Sequence, residues 1–127
     1  MQVNQFPIVA GKRILVVEDE PMISLLIEDI LFDLGCVVVG PASTLGMALE
    51  LAASEDFDAA ILDVQLGREV SFPLADVLNH TGIPFAFATG YGDGSLPLGS
   101  ALLRKPYSFE GVLAVLSKLL LGKSSEN

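Results

Sequence analysis

The chain is short of several things. Its 127 residues include one cysteine, Cys36, so no internal disulfide can form. The thiol sits in the apolar run CVVVG and reads as a small core side chain in a reducing compartment. Basic residues are scarce, 7 Lys and Arg against 16 Asp and Glu, for a net charge of −9. With a pI near 4.3, a basic face for nucleic acid or anionic lipid is excluded. No apolar run approaches the roughly 18 to 20 residues that cross a bilayer, so no membrane association is expected. The opening MQVNQFPIVA carries no positive charge and no long apolar stretch, which argues against a secretory signal and for a cytoplasmic protein. There is no internal repeat and no linker, and the single histidine, His80, reads as a surface residue.

Apolar residues, in contrast, are plentiful. A hydrophobic content of 51% and a mean hydropathy of +0.58 suit one domain with a large core. Residues 13–18 (RILVVE) predict a strand buried on both faces. A helix follows from about Glu20 to Leu34, with Pro21 at its first position, Gly35 ending it, and a stripe of Ile23, Leu26, Ile27, Ile30, Leu31 and Leu34. Residues 36–40 predict a second strand. Ser43 or Thr44 then caps a helix through about Ser54, with Leu45, Ala48, Leu49 and Ala52 inward. A third strand at 58–64 leads through a loop around Gly67 to a helix at about 71–79, with Phe72, Ala75, Val77 and Leu78 inward. Strands at 83–89 and 101–105 complete the set. Ser108 caps a last helix with Phe109, Val112, Leu113, Leu116 and Leu120 on one face and Gly122 beyond it. Strands alternating with helices predict an α/β fold with a parallel sheet covered on both faces. GYGDGSLPLGS, between the last two strands, is too rich in glycine for a full helix. The expected division is an extension at 1–11, a domain at 12–121 and a tail at 122–127.

Ligands of an open parallel sheet lie beyond the carboxyl ends of its strands. Those ends here carry Glu18 and Asp19, then Asp63, Thr89 and Lys105. Like charges 4 to 5 Å apart repel by about 3 to 4 kcal/mol at an effective dielectric near 20. Three carboxylates therefore call for a hard cation, and Mg²⁺ takes oxygen ligands of this kind. Asp19 or Glu20 ahead of Pro21 could also serve simply as a helix cap, and Lys105 alone would be an ordinary surface charge. Tyr91 and Tyr107 read as packing or rim residues. It is the convergence at one sheet edge that points to chemistry.

With VVEDE after the first strand, LDVQLG around Asp63, FATG at Thr89 and LRKPY at Lys105, the chain resembles the receiver domains of bacterial two-component response regulators, from about Lys12 to Leu121. PFAFATGYG resembles the FAT GUY subgroup of single-domain response regulators, which often pairs with HWE-type histidine kinases. The resemblance implies a flavodoxin-like, doubly wound five-stranded sheet of order 2-1-3-4-5; the short, glycine-rich stretch between Thr89 and Lys105 departs from the family, so the fourth helix is expected to be short, missing or mobile. It implies that Asp63 is the phosphoacceptor, taking a phosphoryl group from the phosphohistidine of a sensor kinase or phosphotransfer domain. Asp19, Asp63 and the backbone carbonyl of Gln65 would ligate Mg²⁺ (or Mn²⁺), and Glu18 would do so through water. Thr89 and Lys105 would contact phosphoryl oxygens, and Lys105–Pro106 would be cis. The kinase would dock near Pro21, Met22 and Ile23, and an unidentified downstream protein would receive the signal. No output domain is expected, so the protein would be a stand-alone regulator, a shuttle or a sink. It would be a phosphoacceptor and not an enzyme, beyond self-phosphorylation and slow autodephosphorylation. Where the family usually has Tyr or Phe three residues before the lysine, this chain has Leu102. Switching is therefore expected to order the 90–100 segment and not to rotate an aromatic ring.

Three other readings compete. A degenerate receiver would be an interaction module that never accepts phosphate, and intact Asp63, Asp19, Thr89 and Lys105 oppose it. A flavodoxin-like nucleotide binder would need a Gly- or Ser/Thr-rich phosphate loop where EDEP stands. An aspartyl-phosphate hydrolase would need a second acid where Gln65 stands, and a cap domain for which there is no length.

Overall fold

The doubly apolar RILVV stretch becomes the centre of a sheet, because only helices on both sides can bury both of its faces. In the computed structural model, which describes residues 5–90, 96 and 100–125, this stretch is β1 (Arg13–Val17). It is followed by α1 (Pro21–Asp33), β2 (Val37–Ala42), α2 (Leu45–Ser54) and β3 (Ala59–Asp63). Then come β4 (Gln65–Leu66), β5 (Glu69–Val70), α3 (Phe72–Thr81), β6 (Phe85–Thr89), β7 (Ala101–Arg104) and α4 (Phe109–Ser125). Five strands pair in parallel in the order β2-β1-β3-β6-β7. Counted without the short β4–β5 ribbon, this is the expected 2-1-3-4-5 order, and the protein is a flavodoxin-like α/β domain.

Alternate residues of each strand serve opposite layers. Ile14 and Val16 join Ile27, Leu31, Val112 and Leu116 beneath α1 and α4. Leu15 and Val17 join Ala48, Leu74, Leu78 and Phe87 beneath α2 and α3. Local signals act as read: Pro21 stands at the start of α1, and the Thr44 hydroxyl accepts the Met47 N–H at 3.1 Å. Gly35 leaves α1 at φ +84°, and the Ser108 hydroxyl accepts the Gly111 N–H at 3.0 Å. Glu20 occupies the cap position of α1 without a side-chain cap bond, so the simple capping role weighed for it is not realised.

Several expectations are corrected. Leu26 and Val77 are exposed, and Leu74 is buried instead of Val77. An apolar stripe wider than the contact face leaves its margin in water. The segment around Gly67 is an antiparallel ribbon, β4–β5, and not a plain loop. Helix α4 runs through Gly122 to Ser125, since one glycine costs a helix only about 1 kcal/mol. Within the expected extension, residues 5–11 pack on the domain: Val9 is 0% exposed, and the Phe6 and Phe109 rings meet edge to face at 5.4 Å. Among the described residues there are four helices, none of them between Thr89 and Ala101. Residues 91–95 and 97–99, with Tyr91 and most of the expected switching segment, lie outside the described residues.

Strand β2 continues through a cis Gly40–Pro41 bond, which the sequence reading ended at Gly40. Proline is tolerated there because β2 is a sheet edge. Gly40 has φ +97°, and a Cβ on it would lie 2.8 Å from the Ala42 nitrogen and 3.1 Å from the Val16 carbonyl oxygen. Both obstacles are backbone and cannot swing away. Gly40→Ala is therefore expected to cost about 2 kcal/mol in urea unfolding, from left-handed strain plus overpacking; an unchanged midpoint would contradict the crowding.

Candidate functional site

Four of the predicted site residues stand at the carboxyl edge of the sheet because a strand delivers each of them there. Glu18 follows β1, Asp63 is the last residue of β3, Thr89 is the last of β6, and Lys105 follows β7. The register sets Asp63 beside Ala88 and Thr89 beside Arg104, and the Lys105 N–H donates to the Thr89 carbonyl at 2.9 Å. Lys105–Pro106 is cis, as expected.

Three side chains meet directly. Lys105 Nζ lies 3.1 Å from Glu18 Oε1 and 3.3 Å from Asp63 Oδ2. Glu18 is 2% exposed and Asp63 is also buried, so one ammonium serves two carboxylates where water barely reaches. Burial, and then the Asp63 charge, push the Glu18 carboxyl above its usual range; Lys105 and the Glu20 N–H offset only part of this. For Lys105, burial works against the charged form, yet the hydrogen bond to Glu18 and the Asp63 charge outweigh it and raise its pKa. The two directions agree physically. The cation is held firmly, while Glu18 remains under-neutralised.

Asp19 lies at the rim, and its Oδ2 accepts the Gly67 N–H from the tip of the β4–β5 ribbon at 2.9 Å. Gln65 sits in that ribbon, its side-chain amide donating to the carbonyls of Gly67 (3.0 Å) and Glu69 (3.3 Å). Carboxylate oxygens of Glu18, Asp19 and Glu20 lie within 4.8 Å of one another. Hard oxygens at this spacing, beside a buried acid that lacks full compensation, fit a divalent cation. Beside them opens a cleft of about 370 Å³ walled by Glu18, Asp19, Pro21, Ser24, Glu28 and Pro41.

Tyr107, expected to be a packing or rim residue, also belongs to the site. It is buried, and its hydroxyl donates to Glu18 Oε1 at 3.4 Å. Burial and the charges of Glu18 and Asp63 push its pKa well up. The available signal was chemical: a phenol two residues after Lys105, next to an apolar helix, needs a partner for its O–H. The ribbon's backbone donor at Gly67 carried no such signal.

No family model matches the chain. A solved structure of SdrG from Pseudomonas melonis Fr1, in its BeF3-activated conformation, is 43% identical, with 87% of this chain and 98% of that one covered at a TM-score of 0.75. The receiver domain of the response regulator PhyR from Erythrobacter litoralis is 30% identical, with 88% and 92% covered at a TM-score of 0.77. The chain belongs to the response regulator receiver family. Among curated proteins, the Phyllosphere-induced regulator PhyR of Methylorubrum extorquens is 33% identical over 120 residues, which are 89% of this chain and 45% of PhyR. This receiver thus spans about half the length of the curated relative it matches. Receiver domains of response regulators are signalling proteins. Among its described residues, no helix of this receiver is long and apolar enough to cross a membrane.

Proposed function

We propose that this receiver accepts a phosphoryl group on Asp63 from a histidine kinase phosphohistidine and acts as a response regulator in the cytoplasm. The observation that carries the reading is the shared Lys105, whose Nζ sits between Asp63 and Glu18. In the reaction an Asp63 carboxylate oxygen attacks phosphorus. The new O–P bond forms as the P–N bond breaks, and the imidazole nitrogen keeps the electron pair. Little covalent chemistry is asked of the protein, so positioning and charge neutralisation do the work.

Lys105 would follow the charge from Asp63 to the phosphoryl oxygens, and Thr89, at the next strand end, would donate its hydroxyl to another. Asp19, Asp63 and the Gln65 carbonyl would hold Mg²⁺ (or Mn²⁺), with Glu18 acting through water. When bound, the ion neutralises charge on the transferring group. Support also comes from SdrG, whose activated structure carries BeF3, a mimic of a phosphoryl group.

A kinase of the HWE type that the FATGY stretch suggests, or a phosphotransfer domain, would dock on α1. Met22 is 83% exposed and Phe32 80%, with Pro21 and Leu25 exposed on the same helix, an apolar surface suited to a helix pair. Ile23, named with them from sequence, packs partly buried against the core instead. The downstream target is a protein and not nucleic acid, given the net charge of −9.

The test is phosphotransfer from candidate kinases and from acetyl phosphate with Mg²⁺, read by intact mass. The native protein is expected to gain one phosphoryl group and Asp63→Asn none. Failure of the native protein to gain mass from any donor would leave it a phosphorylation-independent interaction module.

A further inference from the structure

Glu18 poses a problem for phosphorylation that the structure also answers. If Lys105 moves to an incoming phosphoryl group, a carboxylate only 2% exposed loses its cation. Water cannot readily replace the lost donor, and a buried acceptor left unsatisfied resists the change. Glu18 Oε1, however, accepts two donors: Lys105 Nζ at 3.1 Å and the Tyr107 hydroxyl at 3.4 Å. Its other oxygen, Oε2, accepts the Glu20 N–H at 3.2 Å. Tyr107 cannot follow the lysine, because its ring is buried in the apolar cluster beneath α1 and α4.

We propose that Tyr107 is a positioning residue for phosphorylation: its hydroxyl keeps Glu18 satisfied and in place while Lys105 transfers to the phosphoryl group. The inference rests on the phosphoacceptor reading of Asp63. It assigns Tyr107 no contact with the reacting atoms. Without the phenol, Glu18 holds Lys105 more tightly and competes with the phosphoryl oxygens for it.

Tyr107→Phe keeps the ring and its packing and removes only the O–H. With acetyl phosphate at saturating Mg²⁺, the phosphorylation rate of Tyr107→Phe is expected to fall about tenfold, the scale of one hydrogen bond to a charged group. In a Glu18→Gln background the same substitution is expected to change the remaining rate less than about twofold, since the carboxylate it serves is gone. A purely packing role would lower urea stability and leave the rate unchanged, which overturns the inference. So does an equal slowing in both backgrounds. If native protein is phosphorylated but Tyr107→Phe keeps pace with it, the inference alone falls. If native protein takes no phosphoryl group, the Asp63 reading falls first.

Discussion

Lys105→Met is expected to lower the unfolding free energy by about 3 kcal/mol at pH 8, because removing one partner of a buried ion cluster strands the charges left behind. Here the stranded groups are Glu18 and Asp63, both buried and both within 3.3 Å of the lysine nitrogen. Among the described residues no other ion pair reaches either acid. Methionine approximates the length of the lysine stem, so packing loss is minor and the effect is electrostatic.

That origin gives it a pH signature. The Glu18 carboxyl already lies above its ordinary value through burial and the Asp63 charge, and losing Lys105 moves it further up. A raised carboxyl pKa means that the folded state binds the proton more tightly than the unfolded state does. Stability then falls as pH rises from the unfolded value, near 4.5, through the folded one. The penalty should therefore be smaller at pH 5 than at pH 8, and millimolar Mg²⁺ should recover part of it at pH 8. Urea unfolding at the two pH values, with and without the ion, measures both. Equal losses at both pH values would show that Lys105 contributes through packing and not through charge.

The second large effect lies far from the site. Val9→Ala combined with Phe6→Ala is expected to cost about 4 kcal/mol and about 15 °C in Tm. Val9 is fully buried, its carbonyl accepts a contact from the Cys36 thiol at 3.4 Å, and the truncation removes two methyl groups and leaves a cavity. Phe6 contributes its partly buried ring and the edge-to-face contact with Phe109. A thermal shift below about 3 °C would mean that residues 5–11 rest on the domain without stabilising it.

These two cases divide what could be read from the chain. Lys105 was legible because it ends a strand, and strand ends follow from local apolar runs and turn signals. The same reasoning found Glu18, Asp63 and Thr89, the proline at the head of α1 and a cap at Ser43 or Thr44, whereas the sheet order came from the family resemblance. Val9 was not legible. The apolar run FPIVA in a turn-forming stretch shows neither a helical nor a strand period, and Val9 joins a cluster whose other members are distant in sequence, Leu31, Cys36 and Leu116 among them. Leu102 lies 47% exposed on the edge strand β7.

Sequence alone determined which residues reach the rim, because period, caps and turns act over a few residues and the parallel sheet then lines up its strand ends. Only the tertiary structure decided how those residues share their partners. Lys105 divides itself between two acids, Tyr107 reaches Glu18 across 89 positions, and Gly67 meets Asp19 across 48. Such choices depend on packing that brings distant segments within about 3 Å, a distance at which hydrogen bonds form and which no local pattern encodes.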